Sequence, residues 1–201
     1  MLIPSKEQCY KLMCEMKMMD HIVNHSIQVW QVATFLTDNL NTQKIDLNRD
    51  LVQASALLHD ITKTRSFTTK ERHDFTGDKY LIELGYPEVG NIVRQHVILD
   101  EYFVSDIPVE TDIVHYADKR VLHNRVVTLN ERKNYIQQKY GKDIIDQKKF
   151  NWLWEKTQEQ EDRIFIYFSF LPEELGGLLD REDCADEFLK YSKLCSGPPI
   201  E

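Results

Sequence analysis

The segment that most constrains the fold is residues 51–60, which read LVQASALLHD. It is apolar nearly all round until its last residues, which is typical of a central helix that is buried on every side. It nevertheless ends in an imidazole, His59, and a carboxylate, Asp60. A buried charge costs free energy unless it is paired with another charge or coordinated to a metal ion. The rest of the chain must therefore bring partners to His59 and Asp60.

Helical periodicity dominates the chain, and no segment shows a convincing alternation of the kind that indicates a strand. The predicted fold class is therefore all-α. Gly85 has the place of a left-handed helix C-cap, and Pro87 has that of the first turn of the next helix. Residues 61–72 are polar and lack an apolar stripe, so they are predicted to form a loop. The predicted helices cover about residues 5–19, 20–39, 47–60, 73–84, 87–96, 110–122, 129–140, 147–169 and 181–194.

The chain of 201 residues, of which 42% are hydrophobic, is long enough to bury a sizeable core. After residues 124–130 the sequence becomes a charged helical tail. We therefore predict a helical core over residues 1–125 and a helical tail over 126–201 that packs on it, so that both parts form one globular unit.

Charge limits the class of partner. The net charge of −8 argues against an extended nucleic-acid surface, because phosphate contacts need clustered Lys and Arg. A small anionic substrate held by a local cation or a metal ion remains compatible with it. No apolar run reaches the length of a signal peptide or a membrane span, which favours a soluble, cytoplasmic protein without a membrane partner. The four cysteines form no CxxC pair and are expected to be reduced thiols.

Further ionisable residues fall on the apolar stripes of other predicted helices. His25 lies three residues after Ile22 and four before Val29, and Asp118 lies four residues after Val114. Residues at these spacings share one face of a helix, so both side chains point where apolar ones are expected.

His73 and His96 repeat this pattern on two more helices, and Gly77 follows His73 by one turn. A glycine inside a helix costs about 1 kcal/mol relative to alanine, so something is expected to approach the backbone closely there. A neighbouring helix and a bound substrate would both explain it.

Each of these histidines, taken singly, is more often a hydrogen-bonded core residue than a metal ligand. Asp118 alone could be paired with Lys119, Arg120 or His115. Taken together, however, several helices would each need a separate reason for a polar residue on the apolar stripe. One shared cation is the more economical explanation.

The order His25, His59-Asp60 and Asp118 resembles the HD-domain superfamily of metal-dependent phosphohydrolases, which is named after the adjacent pair. The HDITK segment is similar to the HDIGK variant of that pair, with Thr62 in place of the usual glycine. Three further segments and the tail over residues 131–175 resemble a bacterial HDIG-type subgroup. The three segments are HDFTG at 73–77, LGYPEVGNIVRQHV at 84–97 and YADKRV at 116–121.

The resemblance implies an HD-domain helical bundle and a set of site residues. Lys63 matches a lysine that binds or polarises the phosphate. Val97 stands where some two-metal members have a second consecutive histidine. The implied ligands are His25, His59, Asp60 and Asp118 for a first metal, with His73 and His96 for a second metal that Asp60 would bridge.

The implied activity is hydrolysis of a phosphate ester, of a nucleotide or another small molecule, through a metal-activated water. Asp60, Lys63, His73 and His96 would carry the catalysis, with one or two divalent ions among Mn, Fe, Co, Ni, Zn and Mg. If one metal binds, His73 and His96 could instead orient the substrate or donate a proton. The alternative function is a non-catalytic sensor that binds a nucleotide or metal in the same pocket. A purely structural helical protein would require these residues to lie apart.

Other residues are less specific. Arg65, Lys70 and Arg94 could contact phosphate, although exposed cations are usually just solvated. A group of aromatic residues in the tail is expected to pack the tail on the core, while a substrate-stacking wall or a homodimer surface would also suit it. This group comprises Trp152, Trp154, Phe165, Tyr167, Phe168 and Phe170.

Overall fold

The computed structural model of the chain describes residues 1–141, 146–179 and 181–196. The fold is all-α, as predicted, and most helices lie close to their predicted bounds. The helices are α1 (Lys6–Glu15), α2 (Asp20–Thr42), α3 (Arg49–Leu58), α4 (Lys63–Thr69), α5 (His73–Glu83), α6 (Pro87–Gln95), α7 (Glu110–Lys119), α8 (Leu129–Tyr140), α9 (Gln147–Phe165), α10 (Leu175–Leu178) and α11 (Arg181–Cys195).

Helix α3 is the central element that the sequence predicts. Its side chains from Leu51 to Leu58 are buried apart from Gln53, and it packs against α1, α2, α6 and α7. Asn48 caps its first turn by accepting a hydrogen bond from the backbone N–H of Leu51 over 3.1 Å. The helix therefore delivers the two residues that follow it into the interior.

Two details differ from the predictions. Residues 61–72 do not form a continuous loop, because α4 occupies Lys63–Thr69. None of the side chains of this helix is buried, so it has no apolar stripe that periodicity could detect. Two antiparallel strands, β1 (Val121–Leu122) and β2 (Arg125–Val126), form a hairpin that is too short to show alternation in sequence.

Helices α5 and α6 form a tight hairpin around Gly85, whose φ of +86° matches the predicted left-handed C-cap. A Cβ at Gly77 would lie 3.0 Å from Cγ1 of Val93, so a neighbouring helix explains this glycine. A Cβ at Gly90 would lie 2.7 Å from Oδ1 and 3.0 Å from the carbonyl oxygen of Asp78. The two helices can pack this closely because both glycines lack a side chain.

The tail contacts the core through a buried polar network. Arg120 pairs with Glu161 of α9 over 3.0 Å and donates to the carbonyl oxygens of Val127 and Pro172, each over 2.7 Å. Tyr116 also donates to Glu161. These contacts join the end of α7 to three separate parts of the tail. The division at residues 125 and 126 stays a prediction.

The cysteines differ from expectation. Cys14 of α1 and Cys195 of α11 form a disulfide with their Cα atoms 5.5 Å apart, and Cys9 and Cys184 are not part of it. The prediction of four reduced thiols is therefore wrong for two of them, because sequence does not show that α1 and α11 pack together. None of the helices in the described ranges is long and apolar enough to cross a membrane. The cytoplasmic location stays a prediction.

The close crossing of α5 and α6 predicts the effect of adding one methyl group. Gly90→Ala places a Cβ against the backbone oxygen of Asp78 and should lower the free energy of unfolding by about 1–3 kcal/mol in urea titrations. Gly177→Ala is the matched control, because no neighbouring atom lies within 4 Å of the added Cβ. Equal stability of the two variants would contradict this account of the hairpin.

Candidate metal centre

One cluster of donor atoms lies where α2, the end of α3 and α7 meet. Nε2 of His25 is 3.0 Å from Oδ1 of Asp118, and Nε2 of His59 is 3.7 Å from the same oxygen. All three side chains are buried. One donor atom from each lies within 4.8 Å of the others, so a single ion could contact all three. We call these residues the first donor group.

A second donor group consists of Asp60, His73 and His96. Nε2 of His73 is 3.2 Å and Nε2 of His96 is 3.5 Å from Oδ1 of Asp60. The α5–α6 hairpin explains the approach of the two histidines. His73 begins α5 and His96 directly follows α6, so both lie at the open end of the hairpin.

The two donor groups adjoin each other at the end of α3. Oδ2 of Asp60 is 3.4 Å from Nε2 of His59, which belongs to the first group. The structure thus brings together all six residues that the resemblance suggests as ligands. By distance it places Asp60 with His73 and His96, at the junction where a bridging carboxylate would lie. Their assignment as ligands stays a prediction.

Backbone contacts orient three of the imidazoles. Nδ1 of His25, His59 and His96 lies 3.0, 2.8 and 2.6 Å from the carbonyl oxygens of His123, Ala56 and Val93, respectively. A carbonyl oxygen only accepts hydrogen bonds, so each Nδ1 must carry the proton. In the neutral ring the lone pair is then on Nε2, which faces the donor groups in all three residues.

Two buried atoms at the centre lack hydrogen-bond partners within the described part of the chain, namely Nε2 of His59 and Oδ1 of Asp60. Leaving a buried polar atom without a partner costs about 1–3 kcal/mol. A divalent cation would satisfy both atoms, and imidazole and carboxylate are suitable ligands for it. The residues present therefore fit a metal ion.

The protonation states also suit metal binding. Burial alone would raise the pKa of Asp60, but the charge of Lys63 and the neighbouring His59 hold that pKa well below its usual range. Burial likewise opposes ionisation of Asp118, and Lys119 overcomes it to lower the pKa of Asp118 well below its usual range. Both carboxylates are therefore charged at neutral pH.

Burial lowers the pKa of each of these three histidines, but the net shift differs among them. Burial lowers the pKa of His25, and it lowers the pKa of His96 to about 4, so these rings are neutral. Burial has the same effect on His59, but the adjacent carboxylate of Asp60 outweighs it and raises the pKa. A proton and a metal ion would thus compete for Nε2 of His59.

Lys119 is a site residue to which the sequence assigned no role beyond pairing with Asp118. Its buried Nζ donates to Oδ2 of Asp118 and to the carbonyl oxygen of His96, each over 2.8 Å. Lys119 therefore pairs with Asp118, as the sequence allowed. This pairing uses only Oδ2, so Asp118 still belongs to the first donor group through Oδ1, which faces His25 and His59.

Thr62 shows what replaces the usual glycine. Its φ of −103° is accessible to any residue, so a glycine is not required here. The buried hydroxyl donates to the carbonyl oxygen of His73 over 2.8 Å and lies 2.9 Å from Oγ1 of Thr76. Thr62 therefore fixes the start of α5, where His73 is located.

A cavity of about 400 Å³ lies beside both donor groups, and His25 and Asp60 form part of its wall. Lys63 also lines it and donates from Nζ to Oδ2 of Asp60 over 2.7 Å. Arg65 and Arg94, which the sequence offered as phosphate contacts, are paired with Glu71 and with Asp100. Neither belongs to the described lining of the cavity.

Helix α8 forms another wall of this cavity, which the sequence did not indicate. Arg132, Tyr135, Lys139 and Tyr140 all line it. Their spacing along the helix could have shown that they share one face, but no apolar stripe drew attention to it.

The six aromatic residues between Trp152 and Phe170 lie outside the described lining of the cavity. Trp154 and Phe165 are buried, and the ring of Phe165 lies 6.0 Å from that of Tyr116. Phe168 stacks on Phe170 with ring centroids 4.9 Å apart. None of the six residues in this group lies in the described lining, so the stacking-wall alternative is wrong for this cavity.

Comparison with known proteins identifies related sequences. The model of a family described as HD domain matches residues 22–121. A dihydroneopterin 2′,3′-cyclic phosphate phosphodiesterase of Methanocaldococcus jannaschii is 33% identical, with 49% of this chain and 45% of that protein covered. A tRNA (cytidine(56)-2′-O)-methyltransferase of Picrophilus torridus is 29% identical, with 64% of this chain and 40% of that protein covered. The chain thus spans less than half the length of these curated relatives. No solved structure gives a significant match.

If each donor group binds one ion, a substitution in either group should remove one bound metal ion. With Mn²⁺ as the probe, the protein should bind about two ions, and His25→Ala or His96→Ala should each reduce this to about one. Asp60→Asn should weaken the binding of both ions, because Asp60 lies at the junction of the two donor groups. Metal analysis after equilibrium dialysis measures the count.

The control for losing an imidazole is His21→Ala, because His21 is exposed and belongs to neither donor group. This variant should bind Mn²⁺ as the unmodified protein does. Full binding by both His25→Ala and His96→Ala would contradict the assignment of the donor groups.

Proposed function

Residues 22–121 of this chain belong to the HD domain family, and on that premise we propose that the protein is a metal-dependent phosphohydrolase. It would hydrolyse a phosphate ester of a small molecule. The observation that carries the proposal is the pair of adjoining donor groups beside a cavity that Lys63 also lines. A metal centre next to a cation and an open cavity suits the hydrolysis of an anionic ester.

The donor set limits the choice of metal. It contains imidazole and carboxylate and no thiolate, which suits Mn, Fe, Co, Ni, Zn or Mg. Divalent cations held there would stabilise charge on the phosphoryl oxygens and activate a water for attack on phosphorus. The first group would hold one cation and the second group another, with Asp60 at their junction.

Lys63 would bind the phosphate group of the substrate. Its side chain is 32% exposed and lines the cavity, while the ion pair with Asp60 fixes its position. A lysine held in this way can stabilise negative charge that develops on a phosphoryl oxygen in the transition state. Asp60 thus has two roles, as a donor to the metal and as the residue that positions Lys63.

We assign His73 and His96 as ligands rather than as proton donors. Their Nε2 atoms lie 3.2 Å apart and both face Oδ1 of Asp60, so three donor atoms surround one point. His96 is buried and its pKa is lowered to about 4, so it would not carry a proton to give to a leaving group at neutral pH.

The substrate class is a further part of the proposal. The Methanocaldococcus relative is named for a 2′,3′-cyclic phosphate, which is a phosphodiester. We therefore propose phosphodiesters, including those of nucleotides, as the first class of substrate to test. We also propose that the protein belongs to the bacterial HDIG-type subgroup, because several of its segments resemble that subgroup.

Activity should depend on Asp60 and Lys63. The protein loaded with Mn²⁺ should hydrolyse bis(p-nitrophenyl) phosphate, a diester, and p-nitrophenyl phosphate tests for monoesters. Asp60→Asn and Lys63→Met should each lower kcat/KM by about 100-fold, because the first loses a metal donor and the second loses a transition-state contact. Release of p-nitrophenol measures the rate.

Lys79→Met is the matched control, because Lys79 is 79% exposed on α5 and does not line the cavity. It should leave kcat/KM unchanged. Full activity of Asp60→Asn would contradict the proposal. A protein that binds Mn²⁺ but hydrolyses neither ester would favour the non-catalytic sensor instead.

A further inference from the structure

Helix α8 presents an unusual stripe to the cavity. Residues 132, 135, 136, 139 and 140 recur at the spacing of one helix face, and all five line the cavity. A helix that packs on a core has apolar residues at such positions. Here the stripe contains an arginine, a lysine and two tyrosines besides Ile136, and Leu129 is the one buried residue of α8. The face is therefore built for a polar, aromatic occupant.

Arg132 lacks the partner that its position requires. Arg132 as a whole is half-buried, its Nε atom is buried without a hydrogen-bond partner, and no carboxylate of the described residues pairs with its guanidinium. Asp60 is the acidic residue of the described cavity lining, and it already holds Lys63. A buried N–H of a cationic side chain that lacks a partner can be satisfied by an anion. Arg132 therefore marks a place for a negatively charged group of a ligand.

Aromatic side chains stand on two of the helices that border the cavity, α4 and α8. Phe67 lies one turn after Lys63 on α4 and is 47% exposed, although it is large and apolar. Lys139 donates to the hydroxyl of Tyr135 over 2.8 Å and lies 5.3 Å from the ring centroids of Tyr135 and Tyr140. Lys139 thus contacts both tyrosines, whereas Arg132 has no such contact among the described residues.

We propose that α4 and α8 together form a substrate clamp that selects phosphate esters carrying a planar aromatic ring. Arg132 and Lys63 would hold the phosphate beside the donor groups, and Phe67 with Tyr135 would contact the ring. The cavity of about 400 Å³ has the size of a small-molecule site. The clamp rests on the proposed function, because it assumes that the phosphate lies at the metal centre. Helix α8 lies outside residues 22–121, so this selectivity would come from the tail.

Equilibrium binding tests the clamp without any turnover. Methylphosphonate and 1-naphthylmethylphosphonate both carry a phosphonate that is not hydrolysed, and only the second carries an aromatic ring. In isothermal titration calorimetry of the Mn²⁺-loaded protein, the naphthyl compound should bind about 10-fold more tightly or better. Equal affinities would overturn the assignment of a ring site.

Single variants separate the two parts of the clamp. Phe67→Ala should lower the affinity for the naphthyl compound about 10-fold and leave the affinity for methylphosphonate unchanged. Its matched control is Phe75→Ala, because Phe75 is equally exposed at 47% but lies outside the cavity lining. Arg132→Gln should lower the affinity for both compounds about 10-fold, since it removes a contact to the phosphonate that both carry. The control for Arg132 is Arg65→Gln, whose side chain pairs with Glu71 away from the cavity lining.

Unchanged affinities in Arg132→Gln would overturn its role as an anion contact, and a loss in Phe75→Ala as large as in Phe67→Ala would overturn the ring site. These outcomes are distinct from failure of the proposed function. A protein that prefers the naphthyl compound but hydrolyses no ester supports the clamp and contradicts the phosphohydrolase. A protein that hydrolyses esters but binds both phosphonates equally contradicts the clamp alone.

Discussion

The negative charge of Asp60, at 1% exposure, is the constraint around which the rest of the site is arranged. An apolar helix carries this carboxylate into the core, where it could not remain charged without compensation. Lys63 supplies an ion pair to one oxygen, and His73 and His96 face the other. Although these rings face it, Oδ1 of Asp60 has no hydrogen-bond partner within the described part of the chain, and neither has Nε2 of His59, so both atoms leave a position that a cation fits. Burial, ion pairing and the candidate metal centre are therefore parts of one arrangement.

The packing of α5 against α6 sets the geometry around this charge. Gly77 and Gly90 allow α5 and α6 to approach closely, and this hairpin brings His73 and His96 to the same end. The hydroxyl of Thr62 then fixes the backbone of His73. A change in this packing would thus move His73 and His96, which are proposed to bind the metal. Gly77 and Gly90 can therefore affect metal binding without contacting the metal themselves.

The sequence predicted the all-α fold and the polar residues of the core, because helical periodicity makes a histidine or aspartate on an apolar stripe conspicuous. It did not predict α4, whose side chains are all at least partly exposed, or the disulfide between Cys14 and Cys195, which depends on distant helices packing together. Arg132 was also missed, because a cation on a surface helix looks solvated until the cavity beside it is known. The sequence therefore predicts the site residues that are buried on helix stripes. It does not predict those that only the shape of the cavity identifies, such as Arg132.

The central claim is that two adjoining donor groups each hold a divalent cation. Anomalous diffraction at the manganese absorption edge, from crystals grown with Mn²⁺, tests this most directly. One peak is expected among His25, His59 and Asp118 and a second beside Asp60. Peaks confined to surface carboxylates, with neither donor group occupied, would contradict it.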